Sequence, residues 1–300
     1  MPPRLPLVTE LPSSASLADA YKTHWREYLM EAAELAILMF CICLFGTLIY
    51  SRASPLEPFA LSRTVKGFLM GIAIAISTFV IIRSPFGRRS GAHFNPAISV
   101  AYFYLGRMHR WDTLYYVGSQ FTGAVAGVFV AHQLFGERLS GPPVYFVTTT
   151  PGGYGNFIAF LAEFVLSGLL MGVVLFTTNR RRLARFSPVV VALVTVFYYG
   201  LCSSLSGFSV NPARSFSSAV FAWIWQGIWV YFAAPVFGML AAAALYVRSE
   251  GRQNVYCAKV FHDLETTCPF ACDIHRLYRR PEHSWSQGRR GFIRSSRSID

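Results

Sequence analysis

The sequence reads as an all-α membrane protein with six transmembrane helices and two shorter half-helices in an inverted repeat. The chain of 300 residues is 53% hydrophobic and only 14% charged, and its mean hydropathy is +0.39. Six long runs are nearly free of charge. The decapeptides SGAHFNPAIS (90–99) and SGFSVNPARS (206–215) share S-G-x-x-x-N-P-A-x-S at an offset of 116 residues.

The elements follow in chain order. Residues 1–27 are polar, contain prolines and lack a short apolar core ending in a cleavage site. They are expected to form a loose tail, with the first helix kept in the mature protein. A bilayer crossing takes roughly 20 apolar residues. Runs of that kind lie at 28–50, 65–82, 115–134, 157–178, 188–205 and 228–247. They are too long and too evenly apolar for six buried helices of a soluble protein. They are continuous rather than alternating, which favours helices over a barrel.

Ala33-Glu34-Leu35 opens the first half and Ala162-Glu163-Phe164 the second. Three crossings per half is an odd number, so the second half starts from the opposite face of the membrane. Functional segments of inverted repeats meet near the midplane. The expected division is 1–27 tail, 28–248 membrane-spanning domain and 249–300 a basic, Cys- and His-containing cytoplasmic tail.

Each NPA segment precedes a short helical stretch, 95–104 and 211–221, too short to span. Asn95 and Asn211 suit the N-cap, and Pro96 and Pro212 suit the first helical position, where a missing N–H costs nothing. Ala97 and Ala213 complete the boxes. Opposed halves place the two helix starts face to face. The stretches 91–94 and 207–210 are then non-helical, a state tolerated at that depth where backbone lines a polar cavity.

The net charge is +12, but its distribution matches membrane topology rather than nucleic-acid binding. Loops and tails on one side hold 22 of the 27 Lys and Arg, including Arg88, Arg89 and the run Arg180–Arg182. Both termini are therefore expected in the cytoplasm of a multi-pass cell-membrane protein. No nucleic-acid partner is expected.

Two NPA boxes in one framework, each after a membrane helix, resemble the aquaporin, or major intrinsic protein, family. The resemblance runs from Tyr28 to Arg248. It includes Glu34, Gln120, the run Gly123-Ala124-Val125-Ala126-Gly127, Glu163, the stretch 177–182, Arg214 and Pro235-Val236-Phe237-Gly238. It implies an aquaporin-like bundle with one pore per chain and a homotetramer. The chain would be a passive channel for water that excludes protons and ions, with the amides of Asn95 and Asn211 donating into the pore. The resemblance further implies that Arg214 belongs to the outer constriction, and that Glu34 and Glu163 brace the loops before the half-helices. His93 either lines the vestibule or braces a loop.

The filter implied by the resemblance is Ile74, Tyr199, Phe208 and Arg214. Tyr199 stands where water-specific members usually have His and glycerol facilitators often have Gly. Phe208 stands where the former often have a small residue and the latter an aromatic one. SPFGRRSG is one residue longer than the common spacing, so Ile74 competes with Met70 one turn away. Ser215, where glycerol facilitators typically have Asp, leans toward water. The alternative is a channel for small uncharged solutes such as glycerol, ammonia or hydrogen peroxide. No acid, base or nucleophile set has the spacing of an enzyme, and a structural membrane protein with a closed pore is the remaining class.

Cys41, Cys43 and Cys202 fall on expected helices, which argues against a disulfide scaffold. Cys257, His262, Cys268 and Cys272 fall in the tail. Three thiolates and an imidazole form a reasonable tetrahedral zinc set, although the spacing is unlike the common C-x2-C knuckle. Conduction itself requires no cofactor on this reading. Beyond residue 281 the chain is rich in Arg, Ser and Gly, which is expected to be disordered near anionic lipid.

Overall fold

The computed structural model describes residues 7–279. Among the described residues, six helices are long and apolar enough to cross a membrane. With the two half-helices they run α1 (Leu17–Tyr50), α2 (Arg63–Arg83), α3 (Pro96–Tyr104), α4 (Arg110–Phe135), α5 (Gly155–Thr178), α6 (Ala184–Ser206), α7 (Pro212–Ala222) and α8 (Ile228–Glu250). The strongly basic stretch expected beyond residue 281 lies outside the described residues.

The halves repeat one packing scheme. The first helix of each half packs most extensively on the third, α1 on α4 and α5 on α8, while α2 and α6 meet across the halves. Each half-helix packs chiefly on the last crossing of the opposite half, α3 on α8 and α7 on α4. Small residues permit the closest approach. A Cβ added to Gly123 or Gly127 of α4 would overlap the carbonyl of Ala32 or Ala36 on α1. Close backbone approach of this kind is how apolar helices gain contact in lipid, where no hydrophobic force drives them together.

Three features depart from the expected layout. First, α1 begins inside the segment read as a loose tail. A capping box starts it: Ser16 Oγ accepts from Asp19 N at 3.2 Å, and Asp19 Oδ2 accepts from Ser16 N at 2.9 Å. Reciprocal capping satisfies two end donors at once and favours initiation there. The added turns bury His24 against Asp112 at 2.9 Å, and Tyr28 Oη donates to the same carboxylate at 2.6 Å.

Second, α6 is not uniformly α-helical. Tyr198–Cys202 forms a π turn, a wider turn that re-aims side chains and is frequent at functional sites.

Third, the last crossing does not end the packed unit. Val255, Tyr256, Ala258, Lys259, Val260 and Phe270 are at most 2% exposed. Several of them share one apolar cluster with Ala92, Ile98, Tyr102 and Met171 of the bundle. The boundary at 248 therefore marks the end of the membrane helices and not of the core. The amino-terminal segment joins the same assembly: Cys268 N donates to Leu7 O at 2.8 Å, and Thr9 N to Cys268 O at 2.9 Å.

Candidate functional site

The loops before α3 and α7 have matching backbones. Gly91, Ala92 and Phe94 have φ of 103°, 55° and 30°, and Gly207, Phe208 and Val210 have φ of 75°, 51° and 49°. Left-handed non-glycine residues are costly, on the order of 1–3 kcal/mol each, and persist where the surroundings over-determine them. Here buried carboxylates do so. Glu163 Oε1 accepts from Ser206 Oγ at 2.7 Å and from Ser209 N at 2.9 Å, and Oε2 accepts from Val210 N at 2.6 Å.

In the first half the same work is divided. Glu31, not Glu34, accepts from His93 N at 2.8 Å and Phe94 N at 2.7 Å, and its Oε2 also accepts from Gln120 Nε2 at 2.9 Å. Among the described residues, Glu34 accepts only from the Ser90 hydroxyl, at 2.6 Å. The expectation that Glu34 holds the loop is corrected to this extent. Glu31 lies one turn earlier on the same face of α1, within reach of the two amides.

The two NPA boxes meet. Asn95 Oδ1 accepts from Ala97 N, and Asn211 Oδ1 accepts from Ala213 N and Arg214 N, so each Asn caps its half-helix. Each amide also reaches across: Asn95 Nδ2 donates to Val210 O at 2.7 Å, and Asn211 Nδ2 to Phe94 O at 2.8 Å. A carboxamide has two N–H donors, so one on each Asn remains for a permeant.

Asn95 and Asn211 line one cavity of about 80 Å³. Ile74, Tyr199, Phe208 and Arg214 all line it too, so the four residues expected at the filter are brought together; Met70 is buried away from it. The π turn presents Tyr199, whose ring meets Phe208 edge-on at 4.6 Å and 77°. Arg214 is 3% exposed, and its Nε and Nη1 have no partner among the described residues.

Thr78, Thr195 and Ser209 add hydroxyls to walls otherwise built from Leu38, Ile42, Ile98, Leu170 and Val174. Those hydroxyls carry no motif and were not anticipated. His93 is not among the lining residues. It is fully buried, bonds Ser99 Oγ at 3.0 Å and Ala258 O at 2.6 Å, and stacks on Tyr102 and Phe270. Of its two expected roles the structure places it in bracing.

The cavity wall includes one residue from beyond α8, Val260. Its N donates to Gly91 O at 2.9 Å. Near it the four expected donors of the tail converge: the side-chain ligand atoms of Cys257, His262, Cys268 and Cys272 all lie within 4.8 Å of one another. Burial pushes the Cys257 thiol well above its ordinary pKa and that of Cys268 up to about 12. Hydrogen bonds from Cys257 and Cys268 hold Cys272 far below that value despite burial. All six cysteines are free.

A family model, Major intrinsic protein, matches residues 19–246. Aquaporin NIP1-2 of Arabidopsis thaliana is 32% identical over 184 residues, 59% of this chain and 62% of that protein. Aquaporin Z of Photorhabdus laumondii is 27% identical over 231 residues, 72% of this chain and 94% of that protein. The chain spans between 55% and 62% of the length of four plant relatives that it matches. The X-ray structure of the aquaglyceroporin from Plasmodium falciparum superposes with a TM-score of 0.61 at 20% identity, covering 77% of this chain and 98% of that one. That likeness supports the fold, and the family model spans both half-helices and all six crossings but for the ends of α1 and α8. The chain belongs to the major intrinsic protein family.

Proposed function

We propose that the chain is a passive transmembrane channel that conducts water and excludes protons and ions. The observation that carries this reading is the reciprocal bonding of Asn95 and Asn211, which leaves one donor of each amide unused at a cavity that both residues line. A water oxygen accepting from both points its hydrogens along the pore in opposite directions, and a proton wire through it is broken. Each half-helix start adds about half a positive charge, and Arg214 adds a whole one. Cations and hydronium are repelled, while neutral molecules pass.

Ile74, Tyr199, Phe208 and Arg214 form the proposed filter. A second reading, conduction of small uncharged solutes, is favoured by the apolar faces of Ile74 and Phe208. It also fits the structural relative, which is named an aquaglyceroporin. The asymmetry of Lys and Arg supports cytoplasmic termini in a cell membrane, and family resemblance supports a homotetramer with one pore per chain.

The test is an osmotic jump on proteoliposomes, with the tail cluster both metal-loaded and metal-stripped. Vesicles carrying the protein shrink faster than empty ones in at least one state, without added proton conductance. Shrinkage no faster than that of empty vesicles in both states, with the protein folded and inserted, overturns the water-channel reading. A panel of water, glycerol, ammonia and peroxide separates the two channel readings.

A further inference from the structure

Val260 lines the cavity beside Ile82, Ala92, Val174 and Val191, with which it shares one apolar cluster, and its segment, 255–272, carries its own set of soft ligands. We propose that Cys257, His262, Cys268 and Cys272 bind one divalent cation of the zinc class, and that this metal staples the segment in place as a plug whose Val260 closes one end of the pathway. The closing role rests on the channel reading given above; the metal site does not.

The donor set fits the ion. Zinc prefers four N and S ligands in a tetrahedron, and Zn–S bonds of about 2.3 Å put the sulfurs about 3.8 Å apart. Cys257 and Cys268 Sγ are 3.4 Å apart, and His262 Nε2 is 3.2 Å from Cys272 Sγ. Closing the group around an ion needs only small shifts.

His262 is already oriented. Its Nδ1 bonds the Asp263 carbonyl, which places the ring proton there and leaves the Nε2 lone pair facing Cys272. A second bond of this kind is what fixes a ligating imidazole in metal sites. Three thiolates and an imidazole disfavour calcium and magnesium, which take oxygen ligands. The buried Lys259 ammonium lies beside the site and donates to Thr267 O at 2.9 Å, offsetting the net negative charge of a Cys3His–zinc centre. A small cavity walled by Thr178, Asn179, Cys257, His262 and Tyr278 opens next to the donors.

The staple holds an otherwise irregular segment. Residues 255–273 contain no helix or named strand. Their anchors reach several parts of the bundle end: Tyr256 N donates to Asn179 Oδ1 at 2.8 Å, Val260 N to Gly91 O, and Arg88 pairs with Asp263 at 3.1 Å. The Arg83 guanidinium lies 4.7 Å over the Phe261 ring. Cys257 and Cys268 flank the stretch that includes Val260, so one metal closes that loop and fixes Val260 against the pore. Through Gly91 and the Ala258–His93 bond, the plug contacts the loop that aims Asn95.

The experiment uses the full-length chain under a reducing agent. Metal content is measured on purified protein, then cobalt is substituted for the native metal. Trypsin cleavage at Lys259, which is 1% exposed, and osmotic water flux are followed before and after a high-affinity zinc chelator. A Cys268→Ser/Cys272→Ser variant runs alongside.

About one zinc per chain, a tetrahedral cobalt–thiolate absorption band, and both lost in the variant are expected. Chelation of the wild-type protein should expose Lys259 to trypsin and raise water flux several-fold, both reversed by added zinc. Protein that neither retains nor takes up zinc or cobalt overturns the site, as judged on the wild-type chain whether or not the variant folds. Stoichiometric metal with equal, measurable flux in both states overturns the plug. Metal-dependent protection of Lys259 with no flux in either state supports the staple and overturns the channel reading instead.

Discussion

Glu31 shows how a correct motif can point to one of two side chains that share a task. The pairing of Ala33-Glu34-Leu35 with Ala162-Glu163-Phe164 identifies the right helices and the right chemistry. Two glutamates one turn apart share a face of α1, however, and flanking letters cannot say which carboxylate meets the loop amides. Glu31 satisfies two backbone N–H groups, and Glu34 one hydroxyl. Hydrogen bonds to charged groups contribute about 1.5–3 kcal/mol, and orphaned buried donors cost about as much again. Glu31→Ala is therefore expected to lower the apparent unfolding midpoint in detergent far more than Glu34→Ala, and to abolish flux. Equal shifts for the two variants would return the bracing role to Glu34. At the filter, Tyr199→Gly removes the ring that meets Phe208 edge-on. Glycerol flux should rise relative to water in vesicles, and an unchanged ratio in a folded variant would remove Tyr199 from the constriction.

Helices were the most legible elements, because runs of about 20 apolar residues have few other uses. Both half-helix starts were legible as well, since Asn at the cap and Pro at the first position act locally. The π turn at Tyr198–Cys202 was not. It packs against α2, where the backbone of Tyr199 lies close to Gly67, and a hydrophobic run is the same with or without it. Packing also reverses a local preference within α4. Alanine is favoured over glycine in a helix by about 1 kcal/mol, so propensity alone makes both Gly118→Ala and Gly123→Ala stabilising. A Cβ at Gly118 meets nothing within 4 Å, whereas one at Gly123 overlaps the Ala32 carbonyl. Gly118→Ala should leave thermal stability unchanged or raised, and Gly123→Ala should lower it. Matching shifts in a thermal scan would show that α1 and α4 are not held this close.

Across the whole molecule, the sequence conveyed the inverted repeat but not how its ends are tied. Composition marked residues 1–27 as a tail, and four scattered ligands marked the other terminus as a separate segment. Neither signal reports that Leu7 and Thr9 form backbone bonds on both sides of Cys268. Such pairing joins residues more than 250 positions apart, and no local pattern encodes it. The consequence is a clamp: the amino-terminal strand-like stretch lies along one of the proposed metal ligands, so it helps hold the plug without touching the pore. Deleting residues 1–10 keeps Leu11 in its small cluster with Ala15 and Ala20 and keeps the Ser16 cap. The helices should fold and insert with unchanged far-ultraviolet circular dichroism. Two backbone hydrogen bonds at about 1 kcal/mol each amount to roughly a 30-fold shift in the local opening equilibrium. Trypsin should then cut at Lys259 faster in metal-loaded protein by about that order, and a chelator should strip the cluster at lower concentration. Cleavage at the wild-type rate would mean that the tail is held by the bundle and its own ligands alone, and that the pairing at Cys268 contributes nothing to closure.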